Sequence, residues 1–161
     1  MFLPLSCLGS GISNPDLCHS IIRLLETLDF GVQGSAALSV TTFAERANPD
    51  LVRSANLRHL REGGVIAALL PLLASRSISV QGRAAGAITA LTSVQPSNSP
   101  GEDEGPVEAI SETSVVQNHL LTLGLVPSLL PLLRPPYVED AILTNNVIGS
   151  LLNLSHFVNG K

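Results

Sequence analysis

Apolar residues along this chain fall into short blocks at helical spacing, separated by Gly, Pro and Ser. Ser79 to Val94 places Val80, Ala84, Ala87, Ile88 and Leu91 on one broad stripe and predicts an amphipathic helix. Within it, Ala84-Ala85-Gly86-Ala87 would let a neighbouring helix approach closely. Leu51 to Glu62 predicts a shorter amphipathic helix, opened by Asn48-Pro49 and closed by Gly63-Gly64. Val65 to Ala74 predicts a second, more apolar helix between these two. The pattern of the middle of the chain is therefore helix, helix, helix.

This block recurs. His59-Leu60 and Gly64-Val65-Ile66-Ala67-Ala68-Leu69-Leu70-Pro71-Leu72-Leu73 align without a gap on His119-Leu120 and Gly124-Leu125-Val126-Pro127-Ser128-Leu129-Leu130-Pro131-Leu132-Leu133, at an offset of 60. Upstream, at an offset of 48, Ile21-Ile22-Arg23-Leu24-Leu25 matches Leu69 to Leu73, and Val32-Gln33-Gly34-Ser35-Ala36-Ala37 matches Val80-Gln81-Gly82-Arg83-Ala84-Ala85. Downstream, Gly149 to Ser155 matches Gly86 to Thr92 at an offset of 63.

Three units follow, at residues 14–47, 48–94 and 113–158, after an apolar N-terminal segment at 1–13. The first keeps two helices, about Asp16 to Leu28 and Gly31 to Arg46. The third has three, at Ser114 to Leu123, Val126 to Arg134 and Val138 to Phe157. Pro71 and Pro131 sit at matching positions inside the second helices. Each removes a backbone hydrogen bond and predicts a solvent-facing bend. Gln95 to Glu112 interrupts the period, and without its 18 residues the offset of 63 falls to 45. Rich in Pro, Ser, Gly and acid, it predicts a flexible surface insert.

Composition narrows the class. The chain is 45% hydrophobic, too apolar for a disordered segment, yet only 3% aromatic, too few for the strands of a sandwich or barrel. Leu, Ile, Val and Ala must build the core, which suits packed helices. The net charge of −4 comes from the insert, through Glu102, Asp103, Glu104, Glu108 and Glu112. The remaining eight acids nearly balance nine bases, and no basic stripe for nucleic acid is present. Cys7 and Cys18 form neither a disulfide framework nor a metal motif, and Cys18 reads as a buried small hydrophobe. The apolar start lacks a basic n-region, so no secretory signal is expected. Thr113 to Leu133 is uncharged and long enough for a bilayer, but Gln117, Asn118, His119, Pro127 and Pro131 argue against a membrane span.

With these residues in view, Gly63 to Leu73 followed by Ser79 to Leu91 resembles the armadillo repeat, and the resemblance extends over about Asp16 to Phe157. The Gly-Gly after a short first helix resembles armadillo more than HEAT. The resemblance implies an all-α fold, a right-handed α-solenoid of stacked armadillo-type helical repeats. It also implies a concave groove, lined by the third helices, that holds a partner protein or an extended segment. In peptide-binding members such as importin-alpha, Trp and Asn recur along that groove. Carried over by position, the Trp sites are Leu38, Gly86 and Gly149, and the Asn sites are Thr42, Ala90 and Asn153. Asn153 alone matches, which departs from recognition of basic nuclear signals.

The groove-facing positions, spaced by three and four residues, are Ser35, Leu38 and Thr42, then Arg83, Gly86 and Ala90, then Asn146, Gly149 and Asn153. Ser35, Thr42, Arg83, Asn146 and Asn153 are its polar contacts. Arg83, Asn146 and Asn153 serve as anchors, since amides and a guanidinium suit backbone and carboxylate recognition. No catalytic constellation, cofactor motif or phosphate-cradling loop is present in the sequence. His19, His59, His119 and His156 lack metal-ligand spacing, and His59 and His119 recur because the unit recurs. The expected function is a non-enzymatic, intracellular protein-interaction scaffold, cytoplasmic with nucleus or cilium as alternatives. Competing expectations are a regulator of a small GTPase, the substrate arm of a ubiquitin ligase, or a fragment of a longer junctional or ciliary array. Both ends look uncapped, which adds self-association as an expectation.

Overall fold

A computed structural model describes residues 15–45, 50–93 and 121–158. Residues 1–13, the insert 95–112 and all but the end of the expected helix Ser114–Leu123 lie outside the described residues, as do Asn14 and Asn48-Pro49. The described elements are all helical: α1 (Pro15–Leu25), α2 (Phe30–Glu45), α3 (Asp50–Glu62), α4 (Val65–Leu69), α5 (Ile78–Thr92), α6 (Leu125–Leu129) and α7 (Ala141–Val158). Short 3-10 turns run over Leu70–Ala74, Leu130–Leu133 and Tyr137–Glu139.

The helices pack in two rows. α2, α5 and α7 lie side by side, with α5 in the middle. Behind them α1 touches α2, α4 and its 3-10 turn touch α5, and the second 3-10 turn touches α7. A single apolar cluster runs through the stack, from Ile21 and Leu25 through Leu69, Ile88 and Leu91 to Leu129 and Leu143. The middle helix is buried on three sides. Its stripe of Val80, Ala84, Ala87, Ile88 and Leu91 faces the core as its spacing predicts, while Gly82, Ala85, Ala90 and Thr92 are buried against neighbours.

Backbone chemistry repeats with the sequence. Asp29, Ser77 and Asp140, related by 48 and 63, precede the three long helices and accept from the N–H of Val32 (2.9 Å), Val80 (3.4 Å) and Leu143 (2.8 Å). Each satisfies an N–H that a helix start would otherwise leave unpaired. At the same two offsets, side chains brace the preceding loop. Gln33 donates to the Thr27 carbonyl (2.6 Å), Gln81 to that of Ser75 (2.8 Å), and Thr144 to that of Val138 (3.2 Å). Replacing Asp140 with Ala is expected to cost about 1 kcal/mol, read as a lower midpoint in chemical denaturation with an unchanged slope.

The glycine stops also repeat. Gly64 (φ 77°) and Gly124 (φ 72°) take up left-handed conformations that let the chain reverse into α4 and α6.

The second helices differ from expectation. Instead of one bent helix, each is a single α-helical stretch that tightens into a 3-10 turn, with Pro71 or Pro131 in the first positions of that turn. A proline has no N–H to give to the turn before it, so the α-helical ladder ends there and continues in the tighter form. Both prolines are exposed, as their shared phase predicts. The last long helix starts at Ala141 rather than Val138, because Asp140 caps it and residues 137–139 form a separate turn.

No helix among the described residues is long and apolar enough to cross a membrane. The uncharged run ending at Leu133 is broken by the turn at Gly124.

Candidate functional site

The row of α2, α5 and α7 carries all nine positions expected to line a groove. Their side chains fall into two groups, and the division follows from how closely the helices approach.

On α2, Ser35 and Leu38 are exposed, and Leu38 keeps 52% of its surface in water. Thr42 turns its hydroxyl back to the Leu38 carbonyl (3.0 Å), so its donor is used within its own helix. On α5, Arg83 is exposed and lies across Gly34 of α2. A Cβ at Gly34 would come within 2.9 Å of its Nη1, so the glycine makes room for the guanidinium to span the two helices. Arg83 makes no hydrogen bond among the described residues, which leaves its donors open to a ligand.

Asn146 and Asn153 on α7 are half-buried and point their amide groups at α5. Asn146 Nδ2 donates to the Gly82 carbonyl (3.0 Å). Asn153 Nδ2 donates to the Thr89 carbonyl (3.0 Å) and lies 3.4 Å from the Thr92 hydroxyl. Between them, Thr89 Oγ1 donates to the Asn146 carbonyl (2.7 Å) and pairs with Ser150 Oγ (2.8 Å). The two asparagines thus lock neighbouring helices together, and the oxygen of each amide makes no hydrogen bond among the described residues. Asn153 directs both of its N–H donors at α5 and can offer a partner only its acceptor, whereas Asn146 uses one N–H and keeps a second beside its acceptor.

Sequence reasoning missed Thr89 and Ser150. The signal was available: Asn146, Ser150 and Asn153 are polar at spacings of four and three, one edge of a helix.

The same contact explains why Gly86 and Gly149, two positions to which the resemblance carries a Trp, are glycine. A Cβ on Gly86 would sit 3.1 Å from Asn146 Nδ2, and one on Gly149 would sit 3.0 Å from Thr89 Cγ2. No indole fits between helices this close. Gly149→Val is expected to destabilise by about 1–3 kcal/mol through overpacking, and a thermal melt by circular dichroism would show it.

Two other groups lie behind the row, Cys18 buried and Arg61 half-buried. Cys18 is 6% exposed, as its apolar surroundings predict, and its thiol approaches the His59 carbonyl (3.7 Å). Burial pushes its pKa up, the opposite of what a reactive thiolate needs. Arg61 reaches from α3 to the end of α5, where Nε donates to the Leu91 carbonyl (2.6 Å) and an Nη to that of Ser93 (3.0 Å). Burial lowers its pKa from the ordinary arginine value. His119 lies outside the described residues, and among these no three His, Cys, Asp or Glu side chains gather as a metal-ligand set.

No protein-family model matches the chain, and no curated protein matches it either. Among solved structures it is similar to an engineered protein from the Northeast Structural Genomics Consortium, at 22% identity and a TM-score of 0.62. The match covers 87% of this chain and 46% of that one, so the chain spans less than half the length of the protein it matches, and at this identity the likeness is one of fold alone.

Proposed function

We propose that the chain is a non-enzymatic interaction scaffold, a right-handed α-solenoid of armadillo-type repeats that binds a protein partner along the face of α2, α5 and α7. The observation that carries this reading is the pairing of an exposed Leu38 with an exposed Arg83 that makes no hydrogen bond among the described residues, on adjacent helices. An apolar contact beside a guanidinium suits a segment with an aliphatic side chain and a carboxylate. The carbonyl oxygens of Asn146 and Asn153 extend the same face with acceptors for a partner's backbone N–H groups. A surface built on packed helices is ordered before the partner arrives, so binding need not organise it. The compartment that fits this role is the cytoplasm, with nucleus or cilium as alternatives.

The test is affinity purification with Leu38→Ala plus Arg83→Ala. Both side chains are exposed, so the fold should survive, and the recovered partner should be lost. Asn153→Ala is a poor probe, because it also breaks the contact between α5 and α7. Full retention of the partner by the Leu38 and Arg83 variant, with its melt unchanged, rejects this face as the binding surface.

A further inference from the structure

Gly34 stands inside α2, one turn before Leu38, where a glycine weakens a helix relative to alanine. No backbone conformation calls for it, since among the described residues only Gly64 and Gly124 have positive φ. What uses the space is Arg83. The three atoms nearest to a Cβ built on Gly34 are Nη1 (2.9 Å), Cδ (3.3 Å) and Cζ (3.6 Å) of that one side chain.

The repeat register shows that this use belongs to the second unit alone. Arg83 and Asn146 correspond at an offset of 63, and each reaches a glycine of the preceding long helix. Those glycines, Gly34 and Gly82, correspond at 48. Asn146 donates to the Gly82 carbonyl (3.0 Å) and so ties α7 to α5. Arg83 makes no such bond to α2. A Cβ on Gly82 would meet nothing within 4 Å, so Asn146 does not depend on the missing side chain below it. Arg83 does, because alanine at 34 would displace it. The same crossing is a lock in the third unit and an open cation in the second.

We propose that Gly34 is a positioning residue of the binding face, one that seats the Arg83 guanidinium beside Leu38. The inference rests on the reading of Leu38 and Arg83 as that face. Gly34 and Leu38 are four residues apart on α2, so the cationic and apolar contacts lie about 6 Å apart along its axis. That spacing suits a partner whose carboxylate and aliphatic side chain sit on one residue or on neighbours. A Cβ at 34 would push the guanidinium towards water and part the two contacts.

The experiment titrates N-acetyl-leucine, which carries both groups on one residue, into the full chain. N-acetyl-leucinamide is the uncharged control, and NMR shifts are read at the Leu38 methyls and the Arg83 Nε–H. The unaltered chain should bind the acid and not the amide. Gly34→Ala should bind the acid roughly tenfold more weakly, the loss expected for one charge-assisted hydrogen bond. Arg83→Ala should do the same, and the two substitutions together should cost no more than either alone. Stability separates positioning from packing. Gly34→Ala should raise the folding equilibrium constant in urea about two- to fivefold, as alanine does for glycine inside a helix, so weaker binding accompanies a firmer fold. Parent-like binding by Gly34→Ala, where Arg83→Ala has lost it, overturns the proposal alone. So does a less stable Gly34→Ala, since the glycine would then serve the packing of α2 on α5. Binding retained by Leu38→Ala plus Arg83→Ala, or no binding by the unaltered chain, overturns the face and the proposal together.

Discussion

Leu69→Ala is expected to lower stability by about 2–5 kcal/mol, near the top of what a single substitution in this chain can do. Leu69 ends α4, is fully buried and belongs to the central apolar cluster. Its counterparts are Ile21 in the first unit, 4% exposed, and Leu129 in the third, fully buried. The three residues mark one layer of the core repeated along the stack. Removing the side chain takes away its burial energy and leaves a cavity. In the middle unit that cavity cannot close easily, because α1 presses on α4 from one side and α6 touches the adjoining 3-10 turn on the other. A chain of this size loses about 2–4 °C of melting temperature per kcal/mol, so a fall of roughly 10 °C should be seen by calorimetry. Leu130→Ala, one unit on and beside Leu129, is the control. Leu130 is half in water, and its loss should stay within about 0.5 kcal/mol.

Arg61→Met should destabilise by about 2–4 kcal/mol, for a different reason. Methionine keeps the apolar stem but gives no hydrogen bond to the Leu91 and Ser93 carbonyls. Those carbonyls stand at the C-terminal end of α5, where helix geometry leaves oxygens without internal partners and the dipole favours a cation. Each charge-assisted bond is worth about 1.5–3 kcal/mol, less the cost of holding a guanidinium away from water. Arg61→Lys should recover part of the loss, since an ammonium keeps the charge but not the fork that reaches two acceptors. Urea denaturation of the three proteins orders them: parent, Lys, Met. Hydrogen exchange should localise the loosening to the last turn of α5.

Local features of this fold were legible in the sequence. The stripe on the third helix and the Gly63-Gly64 stop depend on neighbours within a turn or two, and Cys18 follows the apolar pattern of its own helix; the structure places all three as expected. The caps at Asp29, Ser77 and Asp140 were equally readable, since they follow the same offsets as the repeat. What spacing cannot supply is the distance between helices. Asn146 and Asn153 lie at groove positions by count, yet α7 comes so near α5 that their amides reach Gly82 and Thr89 first. Arg61 was hidden for a similar reason. Its acceptors lie 30 and 32 residues away, and nothing in Leu57 to Glu62 marks which arginine will turn inward.

The proposed site is therefore narrower than the ladder of five polar residues that the sequence suggests. Ser35 and Arg83 are exposed, Leu38 joins them, Thr42 is occupied within its own helix, and the asparagines have amide donors committed to α5.

Hydrogen-exchange mass spectrometry on the complex with a recovered partner tests the central claim most directly. Peptides covering α2 and α5 around Leu38 and Arg83 should gain protection when the partner binds, and Leu38→Ala with Arg83→Ala should abolish the gain. Protection confined to residues 95–112 or to the outer side of α7, with α2 and α5 unchanged, would contradict the account.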